Sequence, residues 1–171
     1  MLNAQQIIDE GLLKLDETKG KPAQVGYDLS LKAVQKIGTG TVLNGKIGKV
    51  LKDRTELTTY IPATTIKVDG IEGWLLYQGV YDITFNEGCK LPDNRVAFIK
   101  QRSSLYRNGA IINSPVFDPG FRTDNIGTLL YVHETIFIEV NARVAQIYFH
   151  ECVSAEMYDG QWQGDKQRSS L

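Results

Sequence analysis

Short runs of alternating apolar and polar residues dominate the chain from about residue 25 onward. The clearest runs are Val80–Phe85, Val96–Ile99, Ile136–Val140 and Val144–Phe149. They are separated by Gly, Asn, Asp and Pro, which are the residues that favour turns. Many short strands at this spacing predict a mainly β fold, built as an antiparallel jelly roll or distorted barrel.

The first residues of the chain have a helical pattern instead of an alternating one. Asn3 can cap a helix, and Gln6, three residues later, completes a capping box. Gly11 marks the expected end of this helix. One apolar face is expected to be buried, and it consists of Ile7, Ile8, Leu12 and Leu13. The sequence therefore predicts a short N-terminal helix before the strands.

Two segments carry no apolar periodicity. The Gly-rich stretch Gly38–Gly45 lacks the GxxxxGK[ST] order of a P-loop and is interpreted as a turn. The segment from about 159 to 171 is mostly polar, lacks any apolar run and is predicted to be a mobile C-terminal tail. With 171 residues and 42% hydrophobic composition, the chain is expected to form a single domain over residues 1–171.

Composition and charge exclude several classes of partner. The net charge of −1 provides no basic field for nucleic acid. No apolar stretch approaches the roughly 18 residues of a membrane span, and the N-terminus lacks the pattern of a signal peptide. Cys89 and Cys152 form no CxxC pair and are expected to be reduced thiols. We therefore expect a cytoplasmic protein that binds neither nucleic acid nor a membrane.

The histidines do not indicate a metal or triad site. The chain has two, His133 and His150. Only His150 and Cys152 stand at a spacing that puts two ligands on one strand face, whereas a zinc site needs three or four. Structural or surface roles are therefore expected for both histidines.

Five polar islands interrupt the apolar pattern: Gly26–Leu29, Arg102–Arg107, Ser114–Arg122, Asn141–Gln146 and the segment from Tyr158 to Leu171. Each has an ordinary structural interpretation when taken alone. GYDL suits a turn that leads into a strand, DPG is a turn signal, and RSSL suits a solvated strand end.

Taken in order, the islands resemble the motifs of the superfamily of trimeric dUTPases and dCTP deaminases. GYDL, RSSLYRNG, VFDPGF and NARVAQI are similar to its first four motifs, and YDGQWQG is similar to the deaminase-type tail. The opening MLNAQQIIDEG resembles the N-terminal helix of the deaminase branch. The resemblance implies the trimeric dUTPase-type barrel and a homotrimer whose active sites are shared between subunits.

The resemblance also implies roles for individual residues. Asp28 matches the aspartate that serves Mg²⁺ through a water molecule, and Asp118 matches the aspartate that orients the attacking water. These two residues are the candidate catalytic groups. The other candidates bind substrate: Arg102, Ser103, Ser104, Arg107, Asn113, Phe121, Gln146, Tyr158 and Gln163. Phe121 is expected to pack against deoxyribose, and Gly109–Phe117 is expected to form a hairpin whose backbone contacts the pyrimidine.

The deaminase branch needs a glutamate in the strand after the DPG turn, as the base that activates water. Depending on a gap in the alignment, its position falls on Leu130 or Thr128, and neither accepts a proton. Asp124 and Glu134 lie where turns are expected, and Glu139 belongs to the next strand. Arg107, however, matches an arginine of the deaminase branch.

These residues predict hydrolysis of a pyrimidine deoxynucleoside triphosphate, foremost dUTP to dUMP and pyrophosphate, by Mg²⁺-assisted attack of water. The alternatives are a dCTP deaminase, a bifunctional deaminase and dUTPase, or a regulatory homologue that binds nucleotides without turnover. Because backbone groups are expected to contact the base, the base preference stays open at this level.

Overall fold

A computed structural model describes residues 1–16, 18–37, 60–153, 156–160 and 163–165. The predicted turn at Gly38–Gly45 lies outside them, as does much of the predicted tail. The helical elements are α1 (Ala4–Asp9), α2 (Ser103–Arg107) and a 3₁₀ turn at Gln163–Asp165. The strands are β1 (Leu13–Lys14), β2 (Lys21–Pro22), β3 (Tyr27–Ile37), β4 (Tyr60–Pro62), β5 (Ile66–Val68), β6 (Ile71–Leu76), β7 (Gly79–Phe85), β8 (Gly88–Lys90), β9 (Arg95–Gln101), β10 (Ala110–Asn113), β11 (Arg122–Thr123), β12 (Gly127–Val132), β13 (Ile136–Glu139) and β14 (Arg143–Glu151).

The main sheet is antiparallel and nearly closed. Its strands follow the order β10-β12-β7-β3-β14-β9, and β2 and β4 also pair with β3. Two smaller sheets have the orders β1-β8-β11 and β13-β6-β5. The predicted mainly β, barrel-like fold is therefore confirmed, and so are the four predicted strands, which correspond to β7, β9, β13 and β14.

The core lies on the inner face of the main sheet. The strands of this sheet show it, because their residues alternate between buried and half-buried positions. On β12, for example, Thr128, Leu130 and Val132 point inward. The largest fully buried side chains include Phe85 and Phe149, which come from β7 and β14. This alternation is the pattern of strands with one face on the core.

The N-terminal helix forms as predicted, but its apolar face differs. The capping box is present: the Asn3 side chain accepts from the Gln6 amide, and the Gln6 side chain accepts from the Asn3 amide, both at 2.9 Å. Gly11, with φ of 62°, follows the helix end. Ile7 is fully buried, whereas Ile8 is 40% exposed. Leu12 and Leu13 are buried beyond the six-residue helix, because the chain turns into β1.

Another local prediction was wrong. Gly109–Phe117 forms no hairpin of its own: β10 pairs with β12, and Phe117 bridges to Ala97 of β9. Distant strands thus supply the partners that the local sequence could not reveal. The RSSL stretch directly follows the end of β9, and its exposed serines begin the short helix α2.

Two further observations concern the helices and the cysteines of the described residues. No helix in this part of the chain has the length and apolar character needed to cross a membrane. Neither cysteine forms a disulfide, and Cys89 is buried whereas Cys152 is half-buried.

Candidate active site

Asp28 lies on β3 between two guanidinium groups. Its carboxylate is 8% exposed, and its Oδ2 atom lies 3.5 Å from Arg102 Nε and 3.5 Å from Arg143 Nη1. Arg102 Nη1 also donates to the backbone carbonyl of Arg143 at 3.2 Å. One carboxylate between two guanidinium groups leaves a net charge of about +1. This arrangement, which we call the arginine cluster, is suited to an anion.

Short helix α2 places two hydroxyl groups beside Arg102. Arg102 directly follows the end of β9, and its amide donates to the carbonyl oxygen of Val144 on β14. The chain then turns into α2. Ser103 and Ser104 form the exposed first turn of this helix. The first intrahelical bond is donated by Tyr106, so the amides before it precede the hydrogen-bonded ladder. Arg107 ends the helix and is exposed.

Strand register brings Gln146 next to Asp28. These residues are direct partners on β14 and β3, and the Gln146 amide group donates to the carbonyl oxygen of Val25. Gly26 has φ of 76°, and a Cβ at this position would collide with the carbonyl oxygen of Ile147. The first motif therefore needs glycine here, because the turn packs directly on β14.

Asp118 lies in an exposed turn beside Phe117, which bridges to Ala97 near the start of β9, whereas Arg102 follows the end of that strand. Its carbonyl accepts from the Phe121 amide at 3.1 Å. Phe121 is half-buried, with its ring 5.4 Å from that of Phe117 and 5.4 Å from that of Tyr158. The turn thus joins an exposed carboxylate to a small aromatic cluster.

The described part of the C-terminal segment packs on this turn. The Tyr158 amide donates to Pro119 at 2.7 Å. Gln163 donates from Nε2 to Gly120 at 2.8 Å and accepts from the Arg122 amide at 2.9 Å. Tyr158 and Gln163 therefore hold this segment against the turn, while the mobility predicted for 159–171 stays a prediction.

The predicted site residues fall into two groups in one chain. Asp28, Arg102, Ser103, Ser104 and Gln146 lie around the arginine cluster. A second group surrounds the Asp118 turn and contains Phe121, Tyr158 and Gln163. None of the contacts described above joins the two groups. Arg107 and Asn113 are exposed at the ends of α2 and β10, respectively.

The sequence assigned no role to Arg143, whose guanidinium group is the second cation beside Asp28. It also assigned no role to Glu87, whose side chain is fully buried. Glu87 accepts from the Ser30 amide at 2.9 Å, the Ser30 hydroxyl at 2.7 Å, the Gly20 amide at 3.1 Å and the Thr18 hydroxyl. Arg143 stands inside the NARVAQ island, which is a usable signal, whereas Glu87 looks like an ordinary turn residue after β7.

Strand β12 holds no carboxylate at the two positions aligned with the deaminase glutamate. Thr128 is 4% exposed and its hydroxyl donates to the Asn113 carbonyl at 3.1 Å, while Leu130 is 1% exposed. Asp124 lies in the bend before β12 and pairs with Lys14 at 3.0 Å. Glu134 is exposed in the bend after it. A base for deamination is therefore missing from both aligned positions.

The residues around Asp28 do not form a resident metal site. Among the residues that the structure describes, no three His, Cys, Asp or Glu side chains lie together as metal ligands. Asp28 is the cluster's one carboxylate and already faces two cations. A hard divalent cation prefers several oxygen ligands. The water-mediated role of Asp28 toward Mg²⁺ therefore stays a prediction that depends on oxygens brought by a nucleotide.

Comparison with known proteins gives one family and a consistent set of relatives. A family model described as dCTP deaminase-like matches residues 2–152. A deoxyuridine 5′-triphosphate nucleotidohydrolase of Methanocaldococcus jannaschii is 34% identical over 143 residues, covering 82% of this chain and 86% of the relative. A probable deoxyuridine 5′-triphosphate nucleotidohydrolase of Halobacterium salinarum is 33% identical over 120 residues, covering 70% and 69%.

Solved structures agree on the fold. The 2′-deoxycytidine 5′-triphosphate deaminase of Agrobacterium tumefaciens superposes with a TM-score of 0.62 at 16% identity, covering 88% of this chain. The match spans about half of that deaminase chain, 48%. The EIAV dUTPase gives a TM-score of 0.51 at 13% identity, covering 88% of this chain and 97% of that one.

Proposed function

The chain belongs to the dCTP deaminase-like family, and from this premise we propose that it hydrolyses dUTP to dUMP and pyrophosphate. The observation that carries the proposal is the arginine cluster beside the two exposed serines of α2, which suits a triphosphate. The two relatives named as nucleotidohydrolases, at 33% and 34% identity, support the same reaction. The lack of a carboxylate at Thr128 and Leu130 disfavours deamination.

In this proposal the triphosphate binds at the arginine cluster, where Arg102 and the α2 hydroxyls neutralise and hold its oxygens. Asp118 orients a water molecule and accepts its proton. The water oxygen bonds to the α-phosphorus, the bond to the bridging oxygen breaks, and pyrophosphate leaves. Phe121 packs against deoxyribose, and backbone groups near Asn113 contact the base. Mg²⁺ would enter as the counter-ion of the nucleotide and neutralise part of the charge on the phosphates.

Subunit sharing is part of the same proposal. No described contact joins the arginine cluster to the Asp118 turn within one chain. We therefore propose a homotrimer in which each common site receives the arginine cluster from one subunit and the Asp118 turn from a neighbouring subunit. Arg107 and Gln146 then belong to the phosphate half, whereas Tyr158 and Gln163 belong to the half that covers the nucleoside.

Incubation with dUTP or dCTP plus Mg²⁺, followed by anion-exchange chromatography, tests the reaction. Pyrophosphate and dUMP from dUTP are the expected products. Appearance of dUTP or dUMP from dCTP would overturn the choice of reaction in favour of a deaminase. Nucleotide-induced thermal stabilisation without turnover of either substrate would instead identify a binding protein.

Mixing two inactive variants tests the shared site. Asp28→Asn and Asp118→Asn homo-oligomers are each expected to be inactive, whereas co-refolded mixtures regain activity. In a random trimer about one quarter of the sites receive both native aspartates from different subunits. Steady-state dUTP hydrolysis and light scattering give the readouts. Activity no higher than that of the parent variants, despite mixed oligomers, would place both aspartates in one chain's site.

The contacts of Gln163 predict an effect on substrate affinity. Gln163→Ala removes the two hydrogen bonds that the Gln163 side chain makes to Gly120 and Arg122, while the bond from Tyr158 to Pro119 stays. We expect KM for dUTP to rise about 30-fold, because two lost bonds at roughly 1 kcal/mol each weaken the closed state by about 2 kcal/mol. The matched control is Gln78→Ala, which changes an exposed glutamine between β6 and β7. Equal KM values for the two variants would show that the segment does not cover the nucleotide.

A further inference from the structure

Arg143 has a buried donor that the protein leaves unsatisfied. Among the described residues, its Nη1 atom is the buried side-chain nitrogen or oxygen without a hydrogen-bond partner. Its nearest anionic atom, Asp28 Oδ2, lies 3.5 Å away, which exceeds the roughly 2.7–2.9 Å of a charge-assisted hydrogen bond. Since a buried donor without an acceptor is destabilising, a missing acceptor is expected here.

Charge balance indicates what that acceptor is. Arg102 and Arg143 approach the same Asp28 oxygen at the same distance, so one positive charge is left without a partner in the cluster. Both arginine side chains stay about one-third exposed, at 34% and 32%. An anion from solvent can therefore reach the exposed part of the cluster, and it becomes an acceptor for the buried Nη1 atom once the Arg143 side chain turns toward it. A planar guanidinium matches the oxygens of a phosphate.

The backbone fixes both guanidinium groups in this arrangement. Arg143 begins β14 at a register shift relative to β3, where the partners change from Arg143–Ser30 to Ala145–Leu29. Such a bulge re-aims a side chain. Arg102 then donates to the Arg143 carbonyl, so the two arginines are tied to each other as well as to Asp28.

We propose that Arg143 is a substrate-binding residue, the second arm of a two-arginine clamp on a polyphosphate chain. Asp28 is then a positioning residue that holds both guanidinium groups toward the anion. This inference rests on the proposed function for its substrate, a nucleoside triphosphate, but the clamp itself recognises only phosphate oxygens. Inorganic tripolyphosphate is therefore a sufficient probe.

Calorimetric titration with tripolyphosphate, without metal or nucleoside, measures the clamp directly. Arg143→Gln is expected to weaken binding at least tenfold, and Arg143→Lys to recover only part of it, because lysine lacks the planar fork. The matched control is Lys67→Gln, which removes the same charge from β5 of a separate sheet and is expected to bind as the wild type does.

The sign of the Asp28→Asn effect separates a positioning role from a simple charge effect. Removing a negative charge from an anion site strengthens binding if only charge matters. We expect weaker tripolyphosphate binding instead, because both guanidinium groups lose the carboxylate that orients them. Unchanged or tighter binding by Asp28→Asn would overturn the positioning role.

A measurement on the wild-type protein covers the case in which the Arg143 variants do not fold. Phenylglyoxal modification mapped by mass spectrometry is expected to reach Arg143 in the free protein and to be blocked by tripolyphosphate. Arg95, which begins β9 and pairs with Glu10, is the internal control and is expected to give the same extent of modification with and without the anion. Equal modification of Arg143 in both conditions would overturn the clamp.

The two proposals fail in different ways. Tripolyphosphate binding that depends on Arg143, without hydrolysis of dUTP, retains the clamp and rejects the reaction. Hydrolysis of dUTP with unchanged KM and unchanged tripolyphosphate binding in Arg143→Gln rejects the clamp and retains the reaction. A wild-type protein that does not bind tripolyphosphate also rejects the clamp.

Discussion

Asp118→Asn is expected to reduce the turnover of dUTP by about 10²–10⁴-fold while triphosphate binding stays close to that of the wild type. The amide has nearly the shape of the carboxylate, but it cannot accept the proton of the attacking water. The turn itself should persist, because Asp118 stabilises it through its backbone carbonyl and not through its side chain. Pyrophosphate release at saturating dUTP measures turnover, and titration with tripolyphosphate measures binding.

A matched control distinguishes loss of the base from a general effect of charge. Asp93→Asn makes the same chemical change at an exposed residue in the turn before β9. We expect its turnover to equal that of the wild type. Full activity of Asp118→Asn would show that another group handles the proton, and loss of binding together with turnover would assign Asp118 to substrate affinity.

Glu87→Ala is expected to lower the free energy of unfolding by about 3–5 kcal/mol, the largest stability effect predicted for this chain. Removing this fully buried carboxylate takes the acceptor from the amides of Ser30 and Gly20, and from two hydroxyl groups. In a chain of 171 residues, such a loss corresponds to a fall in Tm of roughly 6–20 °C. Urea unfolding followed by circular dichroism checks the value.

The effect of Glu87 should extend to the candidate site. Ser30 lies two residues from Asp28 on β3, so both side chains point to the same face of the strand. Glu87 therefore stabilises β3, the strand that carries Asp28 of the arginine cluster. Glu134→Ala, a change in the exposed bend after β12, provides the control and should shift stability by less than about 0.5 kcal/mol. Similar losses in the two variants would contradict the described network.

Features with a local cause were predicted from the sequence. Alternation along Val80–Phe85 identified β7, because a strand with one buried face repeats every second residue. The capping box of Asn3 and Gln6 was confirmed, since it needs only residues three apart. Ile8 was predicted on the buried face, yet it is 40% exposed. The helix ends after six residues, and the chain then follows β8 instead of continuing the helical face.

The site was predictable in its residues but not in its contacts. The family motifs identified Asp28, Arg102 and Gln146, and the register of β3, β14 and β9 brings these residues together. Arg143 received no role from the sequence, because its importance depends on a buried atom that lacks an acceptor. Glu87 received none because its four donors come from residues that are distant in the chain or on another strand.

The sequence by itself determined the class of fold, the family motifs and the absence of a glutamate at Thr128 and Leu130. Each of these depends on residue type and short-range spacing. Only the tertiary structure decided that Asp28 lies between two arginines, that Gln163 packs on the Asp118 turn, and that Phe117 beside this turn bridges to Ala97 near the start of β9, whereas Arg102 follows the end of that strand. Burial, ion pairing and hydrogen bonding between distant residues depend on which strands pair, and strand pairing is determined by the packing of the whole core.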